Sequence, residues 1–501
     1  MNILTIASQS FSLEILFLLF LGVVVGIIGG ALPGISSTTT VALVATFAYT
    51  MGTTEAVMFL AATQVGSTYG GSIAAVVLNI PGTPASAATA LEGYPLARRG
   101  KGEYAMSVSA MASFWGNTIG AVLLLLIMPV VLQIALSFGS WEMFWFSIFG
   151  IVVCAQLSRG DFRKGLLSAC LGLILSFVGM DPINGAGALR FTYGISYLRD
   201  GVKLVPAMVG LYGMSEVFTS LIDYDAKPMK LERSKFFAFK ELWENKWTAL
   251  KVAVLGFIIG VIPGVGSNIA SWVGYNSALS SSKHPEEFGN GSIEGLIGSE
   301  ASNNACVPGA YAPLLALGVP GDGVTAIVLA ILVVQGVQPG PSFMTNNPNF
   351  LYLLVFSILV AGCMFLLVGT VMGKAVVKLL SAPLPCIMAC VVCLCAVGAY
   401  SASYRYEDIY LMFFFGIVGL VMTKNKIPIA PMILGLVVGG SLVDANFRRA
   451  AIAGKGSLLP FITRPVSAVL VVILLAILFK EFVWPIFKKD KEAKKTEDPI
   501  D

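Results

Sequence analysis

The chain has 501 residues, 56% of them hydrophobic and only 12% charged, against about 25% charged in an ordinary soluble domain. Its 32 Lys and Arg against 28 Asp and Glu leave a net charge of +4, too weak a field to favour nucleic acid. A single histidine, His284, excludes haem, di-iron and histidine-zinc centres.

A mean hydropathy of +0.83 over the whole length means that apolar spans recur rather than forming one anchor. Residues 1–25 lack a basic n-region and a small-residue cleavage site, so they read as the start of a first membrane helix and not as a signal peptide. Apolar stretches able to cross about 30 Å of hydrocarbon follow at 13–32, 104–138, 141–157, 163–180, 201–223, 248–262, 349–373, 379–401, 408–423, 427–443 and 464–487. The expected fold is an all-α polytopic membrane protein of about 11–12 transmembrane helices. Cys386, Cys390, Cys393 and Cys395 fall inside one of these runs and read as apolar filler.

Two segments interrupt the series. Residues 33–93 and 263–336 are rich in Gly, Pro, Ser, Thr and Asn. Each is expected to be a re-entrant or broken-helix hairpin entering and leaving by one face. With the N-terminus outside, most Lys and Arg then lie inside. The exceptions, at 190–203 and 448–464, are expected to be surface helices or re-entrant pieces. The polar stretch 224–247 reads as a cytoplasmic linker. The expected organisation is a first repeat at 1–223, the linker, a second repeat at 248–463, and an extra C-terminal helix with a basic tail at 464–501.

The repeat is visible as four Pro-Gly pairs. Pro33-Gly34 precedes Pro81-Gly82 by 48 residues, and Pro263-Gly264 precedes Pro320-Gly321 by 57, the excess matching a polar insertion at 280–288. Gly66-Ser67 and Gly298-Ser299 lie between the pairs of each half and are taken as equivalent. The first copy starts outside and the second inside, which makes the repeats inverted. Proline removes a donor and glycine admits unusual backbone angles. Paired breaks in inverted repeats point to a midplane substrate site, with helix N-termini for anions and unwound carbonyls for cations.

Candidate substrate-binding residues are those at the breaks: Gly34, Ser36 and Ser37; Asn79, Pro81, Gly82 and Thr83; Gly264, Gly266, Ser267 and Asn268; and Pro320, Gly321 and Asp322, joined by the polar neighbours Asn303 and Asn304. Thr38, Ser67, Glu300 and Asp322 are the cation-binding candidates, because an acid at membrane depth is expensive and usually functional. The competing reading is that Ser and Thr bond their own helix carbonyls and that Gly only permits close packing. Glu55 and Glu92 read as interfacial caps and Glu142 as a boundary residue. With no phosphate-binding motif and no set of catalytic residues, the chain reads as a carrier rather than an enzyme, with no cofactor.

The run from Gly260 through GVIPGVGSNIASWVGYNSALSSSKHPEEFGNGSIEGLIGSEASNNACVPGAYAPLLALGVPGDG closely resembles the signature of the tripartite tricarboxylate transporter large membrane subunit, the TctA-like family. YGGSIAAVVLNIPGTPASAATALEGYPLARRGKGEYA and MDPINGAGALRFTYG resemble further stretches of that family. The resemblance implies a bacterial inner-membrane permease working with a small four-helix membrane subunit and a periplasmic solute-binding protein that delivers a carboxylate. It implies symport, usually with sodium, and an elevator-like movement of the hairpins. Citrate-handling members commonly carry Pro-Gly-Leu-Gly where this chain has Pro33-Gly34-Ile35-Ser36, so the resemblance names the transporter class and not the substrate. A gated anion channel and the membrane subunit of a sodium-translocating complex are the alternatives.

Overall fold

A proline forces the residue before it out of the helical region, and that rule shapes the chain twice. In the computed structural model, which describes residues 12–32, 35–79, 81–157, 161–181, 185–223, 238–379 and 384–483, helix α1 (Leu13–Ala31) stops at Leu32, whose backbone is extended ahead of Pro33. Chain order continues through α2 (Ser37–Ala48), α3 (Thr53–Leu78), a 3-10 turn at Pro84–Ser86 leading into α4 (Ala87–Leu96), α5 (Gly102–Leu136), α6 (Ser140–Leu157) and α7 (Phe162–Ser176). Strands β1 (Gly179–Asp181) and β2 (Gly185–Arg190) precede α8 (Leu204–Met208), which runs through a π-type stretch, Val209–Met214, into α9 (Ser215–Asp223).

The second half repeats the pattern. After α10 (Phe239–Glu244), α11 (Lys246–Val261) stops at Ile262, again extended ahead of Pro263. Then come α12 (Gly266–Ser281), α13 (Ile293–Leu317), α14 (Gly323–Val334), α15 (Pro341–Asn346), α16 (Asn349–Leu379), α17 (Leu384–Ser403) and α18 (Tyr406–Lys424). Helix α19 (Ala430–Val438) is followed by a π-type stretch, Gly439–Asp444, then α20 (Ala445–Ala453), α21 (Pro460–Thr463) and α22 (Pro465–Leu478).

Glycine contacts fix the helix directions. A Cβ on Gly22, Gly26 or Gly30 of α1 would meet Phe59, Thr63 or Ser67 of α3, so the two helices run parallel. Only four residues join α2 to α3, so α2 must run back between them. On α11, Gly256 and Gly260 likewise pack on Ser302 and Cys306 of α13. Helix α12 runs back along α13, with Ser302 Oγ donating to the Ala270 carbonyl and Gly298 packing on Ala278. The same down-back-down motif is thus built twice. The copies point in opposite directions, because Gln64 pairs with Tyr311 while Ser72 pairs with Glu300: positions rising along α3 fall along α13.

Several expectations are corrected. Stretches 33–93 and 263–336 hold the expected breaks and are helical between them. Each is dominated by an unbroken helix of 26 (α3) or 25 (α13) residues, buried along nearly its whole length. Their polarity comes from enclosure by protein on every side, and α13 stays helical across Pro308 and Pro313. The two Gly-Ser steps are not equivalent: Gly30 packs on Ser67 and its counterpart Gly260 packs on Cys306, not on Ser299.

Among the described residues, five helices are long and apolar enough to cross a membrane alone: Leu13–Ala31, Pro84–Leu136, Asn349–Gly369, Tyr406–Lys424 and Pro465–Phe482. The other expected spans are shorter or broken helices. Residues 427–443, for instance, belong to a pair, Ala430–Val438 and Leu442–Ala453, bent by 51°.

The stretch 190–203 is no surface helix. It leaves a two-stranded antiparallel ribbon and passes through a 3-10 turn at Ser196–Asp200. Several of the basic residues in 190–203 and 448–464 that oppose the charge bias are ion-paired. Arg190 bonds Asp181 and Asp444, Arg448 reaches Asp181 at 2.7 Å, and Lys203 reaches Asp200 at 2.9 Å.

Glu142 is buried and bonds Arg464 at 2.5 Å. Glu92 is a cap: fully buried, it accepts the Tyr275 hydroxyl and the backbone N–H groups of Gly289, Gly291 and Ser292 in the loop that leads into α13. Cys386, Cys390 and Cys393 are exposed on α17 and Cys395 is buried. Most of the linker 224–247, at 224–237, lies outside the described residues.

Candidate functional site

Four helix starts converge on one cavity of about 500 Å³. Its wall takes Ser36, Ser37 and Thr38 from the start of α2, Thr83, Pro84 and Ala85 from the turn into α4, Gly264 through Ile269 at the start of α12, and Asp322, Gly323 and Val324 at the start of α14. Two starts come from each half. The first N–H groups of a helix have no intrahelical acceptor and carry a partial positive charge, so the cavity gathers donors without needing many fixed cations.

Equivalent breaks are built alike. Helix α3 ends at Asn79 and α13 at Gly318, both in the left-handed conformation. Four residues later stand Thr83 and Asp322, and each makes a reciprocal capping box, with Ser86 and Thr325 respectively. The chain between cap and box is packed too tightly for side chains: a Cβ on Gly82 would lie 2.2 Å from the Gly30 carbonyl, and one on Gly321 would lie 2.5 Å from Ala310 Cα. The two breaks of the second half also bond to each other, Gly264 N–H donating to the Gly321 carbonyl at 2.8 Å.

Asp322 is the best-connected polar group in the wall. Its Oδ1 accepts the Thr325 N–H and hydroxyl, each at 2.7 Å, and its Oδ2 accepts Gln64 Nε2 at 3.0 Å. Gln64 in turn accepts the Tyr311 hydroxyl at 3.0 Å, so its amide is held at both ends and ties α3 to α13 and α14.

In the hydroxyl run, Ser36 Oγ accepts the Thr39 N–H at 3.1 Å and Thr40 donates back to the Ser36 carbonyl at 3.0 Å. Those hydroxyls serve the helix start, as the competing reading expects. Ser37 and Thr38 line the cavity and make no side-chain hydrogen bond among the described residues.

The expected site residues therefore divide. Ser36, Ser37, Thr38, Thr83, Gly264, Gly266, Ser267, Asn268 and Asp322 share the cavity wall. Asn79, Pro81, Gly82, Pro320 and Gly321 shape the breaks behind it, and Gly34 lies outside the described residues, as does Pro33. Asn303 and Asn304 are buried in α13 away from the wall, with Asn304 Nδ2 donating to the Glu300 carbonyl at 3.0 Å. Ser67 bonds the Gln64 carbonyl, and its neighbour Thr68 lines the cavity instead.

The four cation candidates do not form one site. Thr38 and Asp322 are in the wall, whereas Glu300 is fully buried in a separate cluster. There it accepts the hydroxyls of Ser72 at 2.6 Å, Ser113 at 2.7 Å and Thr89, donors that come from α3, α4 and α5.

Gln64, Thr68, Tyr212, Glu216, Trp272 and Lys426 also line the cavity and are absent from the sequence-derived set. Two left a signal: Gln64 is the one side-chain amide in α3, and Glu216 is an acid inside the apolar stretch 201–223. Lys426 left none, because it sits in a turn between two apolar runs.

Comparison with known proteins follows the same outline. The family model "Tripartite tricarboxylate transporter TctA family" matches residues 16–434. An uncharacterised 52.8 kDa protein in the TAR-I ttuC' 3' region of Agrobacterium vitis is 33% identical over 464 residues, covering 91% of this chain and 91% of that protein. An uncharacterised protein in the TAR-II ttuC' 3' region of the same organism is 33% identical over 213 residues, 42% of this chain and 88% of that protein. No solved structure gives a significant match.

Proposed function

The chain belongs to the tripartite tricarboxylate transporter TctA family, a family of transporter membrane components, and on that premise we propose that it carries a small carboxylate or tricarboxylate through the cavity between the four helix starts. Transport is secondary, by symport with a cation, sodium in the first instance, from the periplasm to the cytoplasm across the bacterial inner membrane. The solute arrives on a periplasmic binding protein, and a small four-helix membrane subunit completes the assembly.

The observation that carries this reading is the convergence of α2, α4, α12 and α14 on one cavity of about 500 Å³, within the range of small-molecule sites. Carboxylates are met by helix N–H groups and by Ser37, Thr38, Ser267 and Asn268, while Thr38 and Asp322 offer oxygens to the coupling cation. The opposed α3 and α13 motifs support the assignment of 1–223 and 248–463 as inverted repeats, joined by a cytoplasmic linker at 224–247 and followed by an extra helix and tail at 464–501. In such a carrier the hairpins move relative to a static scaffold, taking the cavity from one face to the other.

The test is uptake of a labelled carboxylate panel into vesicles containing this chain, with and without the small subunit and the binding protein, under an imposed sodium gradient. Uptake that needs all three components and sodium supports the reading. Sodium-independent flux through this chain alone, or conductance far above carrier turnover, replaces it with a channel.

A further inference from the structure

The cavity wall contains one basic residue among the described residues, Lys426, facing the same space as the acids Glu216 and Asp322. Its backbone is unusual. Helix α18 ends in a Schellman motif, Ile427 N–H donating to the Met422 carbonyl at 2.8 Å and Lys426 N–H to the Thr423 carbonyl at 3.0 Å. Lys426 occupies the left-handed position of that motif, with φ of 56°, where glycine sits without steric penalty. Of the six non-glycine residues with positive φ among the described residues, it alone lines the cavity.

The turn is held from outside as well. Lys164 Nζ donates to the Asn425 carbonyl at 2.7 Å, and Ser168 Oγ donates to the Pro428 carbonyl at 2.5 Å, both from α7. Lys426 itself has no ion-pair partner among the described residues. Lys426 is exposed, and a left-handed non-glycine residue in a braced turn at the cavity wall is an outlier that points to a function. No ion pair joins it to Asp322, whose carboxylate oxygens accept bonds from Thr325 and Gln64.

Resting on the cavity reading above, we infer that Lys426 is the specificity-determining cation of the site: it forms the ion pair with one carboxylate of the substrate, and the hydroxyl, amide and helix N–H donors receive the rest. The substrate class is an organic anion with at least one carboxylate at its end, and the contribution of Lys426 rises with the substrate's charge.

The experiment uses the purified full-length chain in lipid nanodiscs and measures half-saturating concentrations for mono-, di- and tricarboxylates of four to six carbons by thermal stabilisation. Lys426→Gly removes the charge and the left-handed strain together. Its unliganded melting temperature is expected to equal or exceed that of the unsubstituted chain, while half-saturation rises about 10- to 100-fold, more for tricarboxylates than for monocarboxylates. Lys426→Arg is expected to stay within a few-fold of the unsubstituted chain. Unchanged affinity and charge preference in Lys426→Gly, with binding weakened by Ser37→Ala and Thr38→Ala, overturns the inference and leaves the cavity reading standing. Absence of carboxylate binding to the unsubstituted chain, with or without its partner subunits, overturns both.

Discussion

The motif α1–α4 and the motif α11–α14 share a geometry but not a chemistry. Both place a proline-stopped helix parallel to a buried one, end the buried helix in the left-handed conformation, and restart the chain four residues later on a capping box. The box residue is neutral Thr83 in the first copy and acidic Asp322 in the second. Fifteen residues before each cap stand Gln64 and Asn303. Gln64 bridges to Asp322, whereas Asn303 accepts from Asn304 and leaves its own amide nitrogen without a partner. Duplicated packing thus supplies a symmetric cradle, and substitution at matched positions makes one side of it acidic. A site with two different faces offers an anion and a cation different partners side by side.

The largest effect should come from breaking the shared geometry. A Cβ on Gly30 would lie 2.1 Å from the Ser67 carbonyl and one on Gly260 2.3 Å from that of Cys306. Backbone atoms cannot rotate away, so Gly30→Ala and Gly260→Ala should each cost about 1–3 kcal/mol or more, seen as lower melting temperature and poor recovery of monodisperse protein. Similar losses in both would mark the two packings as equivalent, and a tolerant member of the pair would break the comparison.

Next in size is the junction between the halves. Glu300→Ala leaves the hydroxyls of Ser72, Thr89 and Ser113 buried without their acceptor, an expected loss of about 1–3 kcal/mol. Glu300→Gln keeps one carbonyl acceptor and should lose less than half of that in the same unfolding measurement. Equal losses would mean that the charge, not the acceptor count, holds the cluster.

Smaller and more informative is the matched pair at the capping boxes. Thr83→Ala and Asp322→Ala should each cost about 1 kcal/mol of stability through the lost cap. Transport should separate them: at least tenfold lower uptake for Asp322→Asn, which keeps much of the cap, and only a few-fold for Thr83→Ala. Equal transport defects would place the cation-binding oxygens elsewhere. The smallest effects are expected for Ser37→Ala and Thr38→Ala, each raising half-saturation roughly 2- to 10-fold, as for a neutral hydrogen bond, with an unchanged melting temperature.

Much of this was legible before any coordinates. The Pro-Gly pairs mark the helix stops because a pre-proline residue is driven to extended backbone by its immediate neighbour, and Leu32 and Ile262 obey that rule. Membrane residence followed equally from composition. The wholly buried helices α3 and α13 were harder to see as helices. Their small and polar residues gave no lipid-facing apolar pattern, since protein surrounds them on all sides.

Local covalent geometry and hydropathy therefore determined, within the sequence alone, that the chain is a membrane protein, where its helices break, and that the breaks come in matched pairs. Which polar groups meet was decided only by tertiary structure. Gln64 reaches Asp322 across 258 positions, and Glu300 gathers hydroxyls from three helices of the other half. Lys426 enters the cavity wall from a turn outside both four-helix motifs. Such meetings depend on how two opposed motifs pack against each other and against α7–α9 and α18, and pairing over that distance leaves no periodicity or spacing from which one chain could reveal it.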